Sequence, residues 1–186
     1  NFITMKSVVN SVGADVLRFI MLTRKNDASL DFDMLKVKEQ SKDNPVYYVQ
    51  YANIRINSLY KKAIKIGIDL NINTLNVDFS LLSNPSELIL IKMISKWPRQ
   101  VEAAAIANEP HRITFYLNDL ASAFHYSWSL GNTKSELRYI IETDINLTIA
   151  RLSLAKIVKI ILFSGLSIIG VKSVEDLSLE KILTNV

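Results

Sequence analysis

The sequence predicts an all-α protein, a helical bundle with short connections between its helices. Three observations support this fold class. Apolar residues recur at helical spacing along most of the chain, no segment alternates as a strand does, and no internal repeat is present. The chain has 186 residues, of which 49% are apolar and 22% charged. That length and composition allow it to bury a core.

Two helices are predicted before residue 44. An apolar stretch at residues 16–22 predicts the first helix, which begins near Asp15 and ends at about residue 24, where polar residues take over. Asp31 and Asp33 suit the first turn of a short second helix that continues to Gln40, because carboxylates stabilise the positive end of a helix.

The third predicted helix is the longest of the N-terminal half. Asn44 and Pro45 are typical of an N-cap and a first helical position, and Gly67 is typical of a helix end. The helix therefore runs from residue 45 to about residue 66. Residues 68–84 lack helical spacing and are predicted to form a connector.

The C-terminal half is predicted to contain three more helices. The first begins at Asn84, with Pro98 either kinking it or joining two helices. The second begins at Glu109-Pro110-His111 and ends at Gly131-Asn132. The third follows Asp144 to about Phe163, inside the most apolar part of the chain, and ends by Gly165.

Composition excludes several classes of protein. There is no Cys, so a disulfide scaffold, a Cys metal site and a Cys nucleophile are excluded. The longest uncharged apolar run near the C-terminus covers only residues 160–171, shorter than the ~20 residues of a spanning helix. His111 and His125 have no carboxylate at ligand spacing, so no metal site is predicted, and no catalytic constellation is present. The formal charge of +4 permits a polyanionic partner.

The helix after Pro45 carries the clearest candidate surface. At 100° per residue, its aromatic and basic residues share one face, with the aromatic ones nearer the N-terminus: Tyr47, Tyr51, Arg55, Lys62 and Lys65. Aromatic rings stack on unpaired bases and cations meet phosphates. The alternative is that the tyrosines are half-buried packing residues and the lysines a solvated face. The opposite face is apolar and predicted to pack: Val49, Ala52, Ile56, Tyr60 and Ala63.

The helix over residues 111–130 gives a second candidate cluster. Its apolar stripe, which includes Phe124 and Trp128, is predicted to be core. His125 and Tyr126 point away from that stripe, so His125 is expected at the surface. There it either contacts RNA or is an ordinary polar histidine.

Several segments together resemble one known family. Residues 13–19, GADVLRF, resemble the Asp-Ala-Leu-Arg motif, with Val16 where Ala is usual, and residues 43–52, DNPVYYVQYA, resemble the helix motif of arginyl-tRNA synthetases. Further segments match in the same order: 30–33, 101–105, 109–113, 120–125, 150–152 and 165–171. The resemblance covers roughly residues 1–177. On it, the chain is identified as a member of the arginyl-tRNA synthetase family, specifically the C-terminal part with the DALR anticodon-binding domain.

The resemblance implies an incomplete enzyme. Neither catalytic signature of class I synthetases occurs in the sequence, and Asn1 would follow directly after the second of them. We therefore expect residues 1–43 to be a small helical connecting unit after a catalytic domain, and residues 44–186 to be the anticodon-binding bundle. The full-length protein would be an arginine–tRNA ligase that uses ATP and Mg²⁺, whereas this chain would hold no catalytic residue, cofactor or metal.

The resemblance also implies a set of tRNA-contacting residues. Arg55 and Arg151 would either meet phosphates or brace the bundle, and Ser127 and Trp128 stand where Phe and Tyr are usual. The predicted set is Tyr47, Tyr48, Gln50, Tyr51, Arg55, His125, Trp128 and Arg151.

The partners implied are arginine tRNA and the enzyme's own catalytic domain, with a monomeric, cytoplasmic protein and no membrane contact. The alternative function is a stand-alone helical protein–protein interaction module whose basic face is incidental. That alternative predicts an exposed apolar patch and no tRNA binding.

Overall fold

The computed structural model describes residues 4–25, 27–30, 32–39, 43–70 and 76–174. These residues form α-helices, short 3₁₀ turns and connecting loops, so the all-α prediction is confirmed. The helices are α1 (Met5–Val12), α2 (Ala14–Met21), α3 (Met34–Lys38), α4 (Pro45–Lys65), α5 (Pro85–Ala107), α6 (His111–Thr133) and α7 (Ile145–Ile168). Two 3₁₀ turns lie at Phe79–Leu81 and Ser135–Leu137. No described helix is long and apolar enough to cross a membrane.

The first predicted helix corresponds to α2, and α1 was missed. Thr4 caps α1 by accepting a hydrogen bond from the Ser7 amide, and Gly13 separates α1 from α2 with φ +83°. That φ lies in the left-handed region that glycine adopts readily. The second predicted helix shortens to α3, where Asp33 accepts hydrogen bonds from two backbone amides. Asp31 and Gln40 lie outside the described residues.

The long third helix is confirmed as α4, with the predicted cap. The Asn44 side chain accepts hydrogen bonds from the amides of Val46 and Tyr47, each at 3.2 Å. Its amide nitrogen donates to the Val37 carbonyl oxygen at 2.6 Å. Asn44 therefore both starts α4 and ties it to α3. Gly67, at φ +83°, follows the end of the helix.

α5 begins with a capping box and continues through Pro98. The Asn84 side chain accepts from the Ser86 amide at 3.0 Å, while Glu87 accepts from the Asn84 amide at 3.0 Å. The helix ends at Asn108, which has φ +53°. The alternative of two helices joined at Pro98 is therefore wrong.

α7 runs past both predicted ends, Phe163 and Gly165, to Ile168. Gly165 lies inside the helix, at a point where α6 packs against it. A Cβ built at Gly165 would stand 2.5 Å from Leu117 Cδ2, so the absent side chain serves helix–helix contact. The backbone leaves the helix at Gly170, which has φ +69°.

The four long helices form the bundle that positions the site. α6 and α7 contact each other, and each of them contacts both α4 and α5. α2 packs on α4, and its fully buried Phe19 belongs to the same core as Leu117 and Phe124. The apolar face predicted for α4 is buried at Val49, Ala52, Ile56 and Ala63, and half-buried at Tyr60. The boundary at residue 43 between a connecting unit and the bundle stays a prediction.

Candidate nucleic-acid interface

Four side chains from α4 and α6 form a continuous aromatic–cation row, defined here as Tyr47, Tyr51, Arg55 and Trp128. The rings of Tyr47 and Tyr51 stack with centroids 5.5 Å apart and planes 14° from parallel. Arg55 Cζ lies 4.5 Å from the Tyr51 ring centroid and 5.4 Å from that of Trp128. Residues four apart on a helix are neighbours on its surface, which is why α4 aligns the first three members.

The row is half-buried rather than covered. Each of its four members keeps part of its surface in solvent, so part of every side chain is accessible to a ligand. Burial raises the pKa of Tyr47, the neighbouring Tyr51 raises it further, and Arg55 lowers it. The Tyr47 hydroxyl is therefore a neutral hydrogen-bond donor and acceptor at physiological pH.

His125 lies behind the row, and the prediction that it sits at the surface is wrong. It is 6% exposed, because α4 covers the side of α6 that carries it. Its Nδ1 lies 3.0 Å from Arg55 Nη1 and its Nε2 lies 3.0 Å from the Tyr48 carbonyl oxygen. Arginine only donates and a carbonyl only accepts. His125 is therefore the neutral tautomer with hydrogen on Nε2.

The electrostatics agree with that tautomer. Burial lowers the pKa of His125 to about 4, the hydrogen bond to the Tyr48 carbonyl opposes the shift, and the charge of Arg55 adds to it. The imidazole also contacts the rings of Tyr48 and Tyr51, with centroids 4.5 and 5.6 Å away. A neutral imidazole thus fixes the orientation of the guanidinium and of both tyrosines.

A cleft of about 620 Å³ is lined in part by Trp128. Its walls come from the last turns of α4, the end of α6 and the loop before α7. Lining side chains include Leu59, Lys62, Lys65, Trp128, Arg138 and Glu142. An aromatic wall beside three cations and one carboxylate offers a stacking surface, phosphate partners and a hydrogen-bond acceptor.

Arg138 and Glu142 were not predicted as site residues. They follow α6 in a loop with no helical spacing, and only the folding of that loop against α4 brings them to the cleft. Lys62 and Lys65 were predicted to continue the face of Tyr47 and Tyr51, and they line this cleft.

Two predicted site residues lie away from the row. Gln50 is buried, and its amide group bonds backbone atoms of Lys172 and Val174. Arg151 is also buried, with its Nε 2.6 Å from Glu87 Oε1 and its Nη1 2.6 Å from the Arg138 carbonyl oxygen. For Arg151, the geometry fits the bracing alternative.

The described residues offer no group of three or more His, Asp or Glu side chains placed to hold a metal ion. The site is therefore built from stacking surfaces, cations and hydrogen-bonding groups.

A family match covers most of the chain, including most of the candidate interface. The family described as the DALR anticodon binding domain matches residues 49–177, which include α4, α5, α6 and α7 from Val49 onward. The chain belongs to the DALR anticodon-binding domain family. The match contains every predicted site residue except Tyr47 and Tyr48, and it does not favour the alternative of a protein–protein interaction module.

The relatives agree with this family. The chain is 49% identical over 178 residues to an arginine–tRNA ligase of Ruegeria pomeroyi, covering 95% of this chain and 31% of that protein. It is 52% identical over 170 residues to an arginine–tRNA ligase of Ehrlichia ruminantium, covering 91% of this chain and 29% of that protein. The chain thus spans about a third of the length of these relatives.

The fold also matches a solved relative. Thermus thermophilus arginyl-tRNA synthetase superposes with a TM-score of 0.71 at 26% identity, covering 90% of this chain and 27% of that one. The helical bundle is therefore that of the corresponding part of an arginyl-tRNA synthetase.

Proposed function

We propose that this DALR anticodon-binding domain holds the anticodon arm of arginine tRNA as part of an arginine–tRNA ligase. The aromatic–cation row carries the proposal, because it offers two tyrosine rings, a guanidinium and an indole in one line at the surface. Unpaired bases stack on such rings, and stacking contributes ~1–3 kcal/mol per base.

The row would bind bases of the anticodon loop, and the lysines of the cleft would bind phosphates. Tyr47 and Tyr51 provide a platform for unstacked bases of the loop, and Arg55 can stack on a base or donate to its edge. Lys62 and Lys65, about two to three turns beyond Arg55 on α4, meet phosphates of the same strand. His125 touches no RNA in this arrangement; it holds Arg55 and Tyr51 in place before the RNA arrives.

The ligase reaction itself is proposed for the full-length protein. Such an enzyme joins arginine to its tRNA, and ATP with Mg²⁺ drives that step. We expect these ligands to bind to the enzyme's catalytic domain rather than to this chain. A monomeric, cytoplasmic enzyme whose connecting unit is residues 1–43 completes the proposal.

The test is a binding titration of the chain against arginine tRNA, with an anticodon variant of that tRNA as control. We expect Tyr51→Ala to weaken binding of the arginine tRNA by roughly 5- to 150-fold, which corresponds to ~1–3 kcal/mol for one lost stacking contact.

Tyr126→Ala is the matched control variant, because Tyr126 is a 56% exposed tyrosine of α6 that points away from the row. Its affinity should equal that of the wild type. Equal affinity of the wild-type chain for both tRNAs would contradict anticodon reading. Undetectable binding at low salt would contradict RNA binding altogether.

A further inference from the structure

The residues after α7 turn back across the bundle and lie against two other helices. Gly170, Lys172, Ser173 and Val174 each make a hydrogen bond to a side chain of α2 or α4. This stretch, called here the 170–174 segment, is not part of the aromatic–cation row.

On one side, the segment is held by the two charged residues of the Asp-Val-Leu-Arg motif in α2. The Lys172 amide donates to Asp15 Oδ2 at 3.0 Å. Arg18 Nη1 donates to the Gly170 carbonyl oxygen and also pairs with Asp15. The motif by which the family is named thus binds backbone atoms more than 150 residues away in sequence.

On the other side, the segment is held by α4. Gln50 Nε2 donates to the Lys172 carbonyl oxygen at 2.7 Å, and Gln50 Oε1 accepts from the Val174 amide at 2.9 Å. Asn53 Nδ2 donates to Ser173 Oγ at 2.5 Å. Gln50 is 4% exposed and Asn53 fully buried, so these amide groups lack water as a substitute partner and depend on the segment.

The segment is bonded to α4 at the helical turn that also carries the tyrosines of the row. Gln50 directly precedes Tyr51 and lies three residues after Tyr47. Adjacent residues differ by 100° around a helix, so any rotation of α4 that breaks the Gln50 bonds also moves both tyrosine rings.

We propose that Asp15 and Arg18 are positioning residues for RNA binding. Through the 170–174 segment they fix the rotation of α4 and hence the alignment of Tyr47 and Tyr51, without touching RNA themselves. This inference rests on the proposed function for its binding readout, while the network itself has readouts that need no RNA.

The first experiment compares Asp15→Ala with Asp15→Asn in the full chain. The alanine loses the acceptor for the Lys172 amide, whereas asparagine keeps an acceptor oxygen and loses only the charge. We expect Asp15→Ala to weaken binding of arginine tRNA by about threefold to tenfold, and Asp15→Asn to stay near the wild type.

The change in net charge made by Asp15→Ala acts in the opposite direction, so it cannot account for the expected loss of affinity. Removing a carboxylate raises the net positive charge and by itself favours RNA binding. Glu102→Ala makes the same charge change at an exposed site on α5 and serves as control. Tighter or equal binding by Asp15→Ala relative to Glu102→Ala would overturn the proposal.

The second experiment uses amide hydrogen exchange, which reports each bond of the network separately. Asp15→Ala should speed exchange at Lys172, and at Val174 too, because the segment is held as one unit. Unchanged exchange at Val174 would overturn the link between α2 and α4.

The third experiment is a double-mutant cycle between Asp15→Ala and Gln50→Ala. If Asp15 acts through the segment, its effect on affinity disappears once Gln50 is truncated, so the two losses do not add. Additive losses would overturn the proposal. If the wild-type chain bound no tRNA, the proposed function would fail, and the exchange data would still decide whether the network couples the two helices.

Discussion

Arg55 contacts three other side chains at the candidate interface. It lies over Tyr51, reaches Trp128 and donates to His125, so one guanidinium connects α4 to α6. A lysine could supply the charge at this position but not the planar, multidirectional donor set. The arrangement of the row therefore depends on the identity of this residue as well as on its charge.

His125 makes stability depend on pH. Its pKa is about 4 in the folded chain, against 6.5 for an ordinary histidine. Below pH 6.5 the unfolded chain takes up a proton that the folded chain refuses. The free energy of unfolding should therefore fall between pH 6.5 and 4, by up to about 3 kcal/mol in total.

Urea denaturation across that pH range measures the effect, with His125→Gln as the control. Glutamine can still donate to the Tyr48 carbonyl and accept from Arg55, but it does not titrate. The free energy of unfolding of the wild type should fall relative to that of the variant as the pH is lowered from 6.5 to 4. A constant difference would show that His125 is not held neutral by the fold.

A projection of one helix leaves out the helices that pack against it. The spacing of Tyr47, Tyr51 and Arg55 predicted a shared face, and the structure brings the three side chains into contact. The same projection placed His125 away from the core stripe of α6 and hence in solvent. It could not show that α4 covers that side of α6, because the covering helix lies 70 residues away in sequence.

At the scale of helices, the contact of α6 with α7 depends on one missing side chain. Gly165→Ala adds a Cβ 2.5 Å from Leu117 Cδ2, in a part of the core where Leu117 is fully buried. Overpacking of this kind destabilises by ~1–3 kcal/mol, although alanine favours the helix by about 1 kcal/mol. We expect a net loss in the free energy of unfolding.

Urea denaturation of Gly165→Ala alone and combined with Leu117→Ala tests this. Removing the leucine side chain makes room for the new methyl group, so the two losses should sum to more than the loss in the double variant. Neutral or stabilising behaviour of Gly165→Ala would mean that the Leu117 side chain makes room for the methyl group without cost.

Arg151 joins α7 to α5 and to the loop before α7. Its partner Glu87 also completes the capping box of α5. Arg151→Met should lower the free energy of unfolding by ~3–5 kcal/mol, because it leaves a buried carboxylate unpaired. Adding Glu87→Gln should recover part of that loss.

The same variant separates the two roles considered for Arg151. A bracing residue leaves the tRNA affinity of the folded fraction within about twofold of the wild type, an expectation that follows from its lack of exposed contact surface. A tenfold loss of affinity at a temperature well below unfolding would instead mean that Arg151 meets RNA.

Helix starts were predicted better than helix ends. Asn44, Asn84 and Asp144 cap helices where the sequence placed them, because a capping side chain acts on amides next to it in sequence. Gly165 and Pro98 were interpreted as breaks or joins by the same local logic. Their neighbours in the bundle decide otherwise, since packing of α6 on α7 outweighs the propensity of a single glycine.

For the whole molecule, RNA affinity should fall as salt rises. Each phosphate that the protein neutralises releases counterions and adds roughly 0.7 to 1 to the logarithmic slope. Replacing both Lys62 and Lys65 by Gln should lower the magnitude of that slope by about 1 to 2.

The control replaces Lys92 and Lys96, two exposed lysines of α5, by Gln. α5 flanks the bundle at α6 and α7, whereas the row lies on α4 and α6. The control therefore makes the same change in net charge and should keep the wild-type slope. Equal slopes for both double variants would place the phosphate contacts elsewhere.

The positions of the two tryptophans make the interface visible by fluorescence. The chain has two Trp in all. Trp128 is a member of the row, while Trp97 packs against Tyr116 with ring centroids 5.1 Å apart. A Trp97→Phe chain would thus carry a single indole emitter at the candidate interface, next to a guanidinium. Its emission would report occupancy of the site directly, with no dye attached to protein or RNA.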